Sequence, residues 1–130
     1  MIVINMPGGG VQDVDEGELL WLRKAFDGEW KGATMLQLSD DRIYSNESLR
    51  DLQEKFEEAN VKLVEFSAPE SKLKLVVSAK RVRQVIDSNP AIYDEKAKSV
   101  LLFWTKLRLA VRETPDEVGK ELLDTGSEVG

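Results

Sequence analysis

The sequence contains no cysteine and no histidine. Without thiols there are no disulfides, thiolate zinc sites, iron–sulfur clusters or cysteine nucleophiles. Without imidazole the chain lacks the usual general base near neutral pH, any Ser-His-Asp arrangement, and the commonest ligand for zinc, copper and non-haem iron. Carboxylates, lysines and hydroxyls are what remain for chemistry. No apolar run approaches the roughly 20 residues needed to span a bilayer. The opening "MIVINMPGGG" has no basic region, no apolar stretch of signal length and no small-residue cleavage site. The expectation is a mature cytoplasmic protein with no membrane partner.

What is present is a chain of 130 residues, 42% apolar and 32% charged. That composition suits a globular fold with its own core. It predicts a single domain over 1–124 and a flexible acidic tail over 125–130. The net charge of -6 is unevenly spread. Residues 1–71 carry 7 basic and 15 acidic side chains, 72–112 carry 10 and 3, and 113–130 carry 1 and 6. A basic segment between acidic ends marks where an anionic partner would sit, while the acidic whole opposes non-specific attraction to nucleic acid.

Along the chain, "IVINM" and "VQDV" around "PGGG" read as a hairpin. The glycine run lacks the lysine and hydroxyl of a phosphate-binding loop, so a turn is the expectation. In "EGELLWLRKAF", Leu19, Leu22 and Phe26 recur at helical spacing, with a buried strand as the alternative. "ATMLQLSDDRIYSNE" reads as two strands joined through Asp40-Asp41. The helix after it places Leu49, Leu52, Phe56 and Ala59 on one face, with Ser48 and Asp51 as its capping pair. "VKLVEFSAPESKLKLVVS" is strand, turn at Pro69, strand. "AKRVRQVIDSNP" places Val82, Val85 and Ile86 at i, i+3, i+4, which predicts a helix ended by Pro90. Strand returns from 99 to 112, with Lys106, Arg108 and Arg112 opposite Leu107, Leu109 and Val111. Thr114-Pro115-Asp116-Glu117 is a helix start with hydroxyl cap, proline and reciprocal glutamate.

"DRIYSNESLRDLQEKF" and "LRLAVRETPDEVGKEL" share one layout, sixty-six positions apart. Laid on one another without a gap, Leu36, Arg42 and Glu47 meet Leu102, Arg108 and Glu113, Ser48 meets Thr114, Leu52 meets Val118, and Phe56 meets Leu122. Upstream, Leu19 and Leu22 correspond to Val82 and Val85 if three residues are allowed for. Two explanations fit: a pseudo-repeat of 1–60 and 61–124, or a common local solution used twice. Both give an α+β chain, an antiparallel β-rich domain with a few short helices, arranged under the first explanation as two similar β-hairpin-plus-helix units.

The phrase "LQLSDDRIYSNESLRDLQEKF" is similar to the strand, turn, strand and "SLxxLxxxL" helix of LytTR-type DNA-binding domains. "SAKRVRQV" and "LRLAVRETPDEV" resemble later segments of that family, and small flagellar FlbD-type and RemA-type regulators share a comparable strand-strand-capped-helix phrase. The matching stretches cover about half the chain. The resemblance implies a β-rich regulator fold and a nucleic-acid partner. The family's His-Arg-Ser-Tyr run has no counterpart, "VEFSAPESKLKLVV" standing in its place, so no DNA-contact residue carries over.

The leading expectation is a non-enzymatic regulatory or adaptor domain that works through protein contacts. Its candidate anchor is Trp30, in the loop-like "DGEWKG", whereas Trp21 and Trp104 sit in apolar runs and are expected in the core. The alternative is nucleic-acid binding through Lys72, Lys74, Lys80, Arg81, Arg83, Lys106, Arg108 and Arg112. A solvated basic face paired with acidic helices is the bland account of the same residues. Asp13, Asp15, Glu16 and Glu18 lack the loop glycine and terminal glutamate of an EF-hand, and the neighbouring Asp40 and Asp41 make a poor acid/base pair. No catalytic residue, metal or cofactor is expected.

Overall fold

A computed structural model of the chain describes residues 1–125. The chain divides into two compact units, Met1–Val61 and Lys62–Gly130. The tail expected over 125–130 lies, from residue 126 onward, outside the described residues. Each unit contains a hairpin, a single 3-10 turn, a three-stranded antiparallel meander and a closing helix. The protein is thus α+β and antiparallel.

In the first unit β1 (Ile2–Asn5) pairs with β2 (Val11–Val14). Gly9 and Gly10 between them have φ of 89° and 81°. These values lie in the left-handed region, open to glycine at no steric cost, and Met6 N–H donates to Gly10 C=O at 3.1 Å to close the turn. A 3-10 turn, Glu16–Glu18, is capped by the Asp15 carboxylate. Then β3 (Leu19–Lys24), β4 (Thr34–Leu38) and β5 (Arg42–Ser45) form the meander, and α1 (Leu49–Glu58) follows. α1 buries Leu52 and Phe56 and lies against β3. It ends at Asn60, φ 68°, one of the few non-glycine residues that accept a left-handed helix exit.

The second unit repeats the order: β6 (Leu63–Ser67), β7 (Lys74–Ser78), a 3-10 turn at Ala79–Arg81, β8 (Val82–Asp87), β9 (Ser99–Phe103), β10 (Arg108–Val111) and α2 (Pro115–Asp124). α2 buries Val118 and Leu122 and lies against β8 and β6.

The likeness extends to individual bonds. At the end of the first strand of each unit, Asn5 N–H donates to the Glu47 carboxylate at 3.1 Å, and Ser67 N–H donates to that of Glu113 at 2.9 and 3.1 Å. The carbonyls of the same two strand residues accept from Asn46 N–H and Arg112 N–H. The Thr34 hydroxyl donates to Glu47 C=O at 2.7 Å, and the Ser99 hydroxyl to Glu113 C=O at 2.6 Å. The glutamate before each helix cap therefore ties the hairpin, the meander and the helix start together. The two units thus share side-chain bonds as well as element order, and they meet between residues 61 and 62.

The helix expected at 82–86 is a strand, and of the two readings of 19–26 the buried strand is the one found, over Leu19–Lys24; one cause explains why both runs imitate a helix. The register shifts between Leu19 and Trp21 on β3, and between Val82 and Gln84 on β8. Each shift is a bulge, and a bulge inserts one residue into the alternation. Leu19 and Leu22 thereby face Leu38 and Leu36, while Val82 and Val85 face Phe103 and Leu101. Residues three apart thus share a sheet face, which imitates helical spacing. In β3 every residue from Leu19 to Arg23 is buried as well, so no polar alternation betrays the strand. The upstream correspondence of Leu19 and Leu22 with Val82 and Val85 holds, bulge included. Leu36, by contrast, matches Leu101, not Leu102: residues 104–107 join β9 to β10, one more than the 39–41 that join β4 to β5.

Both helix caps form as the sequence indicates. The Ser48 hydroxyl accepts from Asp51 N–H at 3.1 Å, and at Thr114 the box is complete, with Glu117 returning a bond to the Thr114 N–H at 3.1 Å. Ser48→Ala and Thr114→Ala should each cost about 0.5–2 kcal/mol by urea denaturation. A silent change at one and an unfolded variant at the other would contradict the equivalence of the two helix starts.

Candidate functional site

The eight basic residues singled out in the sequence separate into two groups. The backbone of the second unit decides which. Trp104 N–H donates to Arg81 C=O at 3.2 Å, drawing the β9–β10 turn against the 3-10 turn of Ala79–Arg81. The turn closes on itself through Phe103 N–H to Leu107 C=O at 3.4 Å and Leu107 N–H to the Thr105 hydroxyl at 3.1 Å. Across the meander, Gln84, Leu102 and Arg108 stand in one row. Lys80, Arg81 and Arg83 from one side and Lys106 and Arg108 from the other therefore share one end of the unit. β8 and β10 lie two strand spacings apart, about 10 Å.

At the centre of this end is Trp104, 64% exposed. Its expected place in the core is wrong. The apolar run "SVLLFW" ends as a strand at Phe103, and the next residue begins the turn. The ungapped sequence repeat sets Trp104 against the strand residue Leu38; only the corrected register sets it against Ser39, a residue of the "SDD" turn. Lys80, Arg83, Lys106 and Arg108 are exposed and, among the described residues, form no ion pair, while Arg81 is half-buried. Unpaired like charges around an exposed indole weaken the fold rather than hold it.

The remaining three basic residues belong elsewhere. Arg112 lies four residues along the chain from Arg108, and its guanidinium donates to the carbonyls of Pro69 and Ser71 at 3.0 and 3.2 Å. It fastens the β6–β7 loop, so it is not interchangeable with Lys106 and Arg108 as strand alternation implied. Lys72 and Lys74 lie at that same hairpin, Lys74 within 3.8 Å of Glu65 in an exposed pair.

The corresponding end of the first unit has the opposite sign. Ser39 N–H donates to Glu18 C=O at 2.9 Å, the counterpart of the Trp104–Arg81 bond. It brings Asp40 and Asp41 beside Glu18 and Asp15, all exposed. Among the described residues, no set of three acidic groups is disposed to hold a metal ion.

A second feature of the first unit was not visible in the sequence. The loop 25–33 is held by Glu29, whose carboxylate accepts from Arg23 at 2.7 and 3.2 Å, from Phe26 N–H at 2.7 Å and from the Tyr44 hydroxyl at 2.7 Å. The Arg23 guanidinium also stacks on Phe26, 3.6 Å from the ring centre. Arg23 is the chief cause of the low Glu29 pKa, about 2, which stands despite the opposing effect of burial. Burial first, and then the Glu29 carboxylate, push the Tyr44 hydroxyl above its ordinary value. The three partners come from β3, the loop and β5, so only folding reveals them. Trp30 stands beside them, 58% exposed, on a shallow depression of about 460 Å³ lined also by Gly28, Lys31 and Tyr44. Trp21 is buried, as expected.

In the second unit Ile86 and Ala110 occupy the register positions of Arg23 and Tyr44. Lys55, which forms an ion pair with Glu47 in the first unit, is matched by Glu121, one of several acidic residues that with Lys120 line a cavity of about 550 Å³ next to Glu113. The two units thus share a frame and differ in the side chains hung on it. Among the described residues no helix is long and apolar enough to cross a membrane. Comparison with family models, with curated proteins and with solved structures returns no match.

Proposed function

We propose that this chain is a non-enzymatic regulatory or adaptor module that works through protein contacts, and that it docks an acidic protein surface on the Trp104 end of its second unit. The observation that supports this is the grouping of Lys80, Arg81, Arg83, Lys106 and Arg108 around an exposed tryptophan on a turn fixed at both ends by backbone bonds. Trp and Arg are among the residues that dominate binding energy at protein interfaces, Trp because its rigid ring covers a large area at small entropic cost and Arg because its planar guanidinium both stacks and forms paired hydrogen bonds. A turn already ordered keeps the entropic cost small. The surrounding cations steer an anionic partner inward and fix its orientation.

One observation favours a nucleic-acid partner instead: an indole standing free among cations also suits base stacking beside phosphate contacts. The acidic balance of the rest of the chain weighs against it. The resemblance to LytTR-type domains implies such a partner without supplying its contact residues.

Titrating the protein with a synthetic peptide rich in glutamate and leucine, and separately with single-stranded and duplex oligonucleotides, distinguishes the two. Near 50 mM salt the peptide should bind and shift tryptophan emission, and Lys80→Glu with Arg108→Glu should weaken it at least tenfold. Lys72→Glu with Lys74→Glu, the same change of charge at the other end, should leave it unaltered. Tighter binding of either oligonucleotide than of the peptide, lost in the same variant, would overturn the protein-contact reading in favour of the nucleic-acid one.

A further inference from the structure

The corresponding ends of the two units are built on one backbone pattern and carry opposite charge except at one position, where Arg42 of the first unit, 3.7 Å from Glu29, matches Arg108 of the second. In the first, the 3-10 turn reads Glu16-Gly17-Glu18 and the strand-joining turn Ser39-Asp40-Asp41. In the second, the equivalent turns read Ala79-Lys80-Arg81 and Trp104-Thr105-Lys106-Leu107. Glu18 and Arg81 occupy the same position, since their carbonyls accept the equivalent bonds from Ser39 N–H and Trp104 N–H. Bulk is inverted along with charge. Where the second unit projects Trp104 and Lys80, the first has Ser39 and Gly17. One end is thus a basic knob with an apolar tip, and the other an acidic rim around small residues.

Resting on the reading above, we infer that the acidic surface taken by the Trp104 end is the Glu18–Asp40–Asp41 end of a second copy of this chain. Trp104 sits over Ser39 and Gly17 of that copy, while Lys80, Arg83, Lys106 and Arg108 face its Asp15, Glu18, Asp40 and Asp41. In a pair joined by one such contact, one copy retains an unused acidic end and the other an unused basic end. Such a heterologous contact grows into short head-to-tail chains or closes into a ring. An association built on exposed charges is weak and salt-sensitive, because at about 0.1 M salt charges more than about 10 Å apart are largely screened. A competing acidic partner would release it, which gives the adaptor reading a means of regulation.

Sedimentation of the full chain at increasing protein concentration tests this directly. At about 20 mM salt the mass should rise with concentration, and at about 500 mM it should return to one chain. Lys80→Glu/Arg108→Glu gives a copy whose basic end is largely neutralised while its acidic end is intact, and Asp40→Lys/Asp41→Lys a copy whose acidic end is largely neutralised while its basic end is intact. Each alone should stay a single chain at low salt, and an equimolar mixture should associate again. Trp104→Ala in the second variant should weaken that mixed association at least tenfold, although it changes no charge. If a reversal unfolds the chain, as circular dichroism would show, Lys80→Ser/Arg108→Ser and Asp40→Asn/Asp41→Asn carry the comparison. Wild-type protein that remains a single chain at low salt overturns the inference, and so does a mixed association indifferent to Trp104. In either case, binding of the acidic peptide would leave the proposed function standing. Loss of both peptide binding and self-association would remove both.

Discussion

Glu29→Ala should destabilise the protein by about 3–5 kcal/mol, because it strands the Arg23 guanidinium, only 6% exposed, without its carboxylate. The same change frees Phe26 N–H and the Tyr44 hydroxyl, so the 25–33 loop loses its anchor. Replacing both charged partners should be milder. The second unit already carries Ile86 at the Arg23 position, and removing a buried pair outright is often close to neutral. The double change Arg23→Ile/Glu29→Ala should therefore cost clearly less than the sum of the two single changes, a coupling that urea denaturation of all four proteins measures. Equal cost for the double variant and the summed singles would mean that Glu29 acts only through the backbone of its loop.

The same network sets a pH dependence. The folded Glu29 carboxyl titrates near 2, below its ordinary 4.5. A depressed folded pKa contributes stability that is fully present above about 4.5 and disappears as pH falls through about 2. The gap in stability between wild type and Glu29→Gln should therefore be constant at neutral pH and narrow steadily between those two values. A gap that holds to pH 2 would show that ionisation of Glu29 is not what stabilises the loop.

Phe56→Ala and Leu122→Ala should have the other large effects, about 3–5 and about 2–5 kcal/mol, respectively. Both side chains are completely buried, and they hold matching positions one turn after Leu52 and Val118 on α1 and α2. Each substitution removes apolar area from water-free surroundings and leaves a cavity that the adjoining strands can fill only partly. Chemical denaturation gives both values. A cost below about 1 kcal/mol at Leu122 with the full cost at Phe56 would mean that the second helix is not packed as the first is.

The sequence announces some of these features more clearly than others. Turns and caps are local, so "PGGG", Asp40-Asp41, Ser48 and Thr114-Pro115 could each be read without knowing what surrounds them, and each is found as expected. The helix faces of Leu52/Phe56 and Val118/Leu122 are legible because a helix keeps its own period. So is the alternation that turns Arg108 away from Leu109. The strand at 82–87 was read as a helix, and that at 19–24 only as an alternative to one, because a bulge changes the period from two to three at one point, and nothing local marks the extra residue.

The basic end of the second unit was legible only as a list of cations. Strand alternation grouped Lys106, Arg108 and Arg112, but the Arg112 bonds to Pro69 and Ser71 depend on a loop some forty residues earlier in the chain. Trp104 was assigned to the core because its neighbours in sequence are apolar, whereas its neighbours in space are a turn and Arg81. Glu29, one acidic residue in a glycine-flanked loop, gave no sign that it would hold Arg23 and Tyr44. By itself the sequence determined the antiparallel α+β class, the two capped helices and the opposed charge of the segments, since each follows from residues near one another in the chain. Only the tertiary structure decided which cations share an end, that Trp104 stands among them, and that Arg23 is neutralised within the fold, because these depend on strand register and on bonds between distant segments.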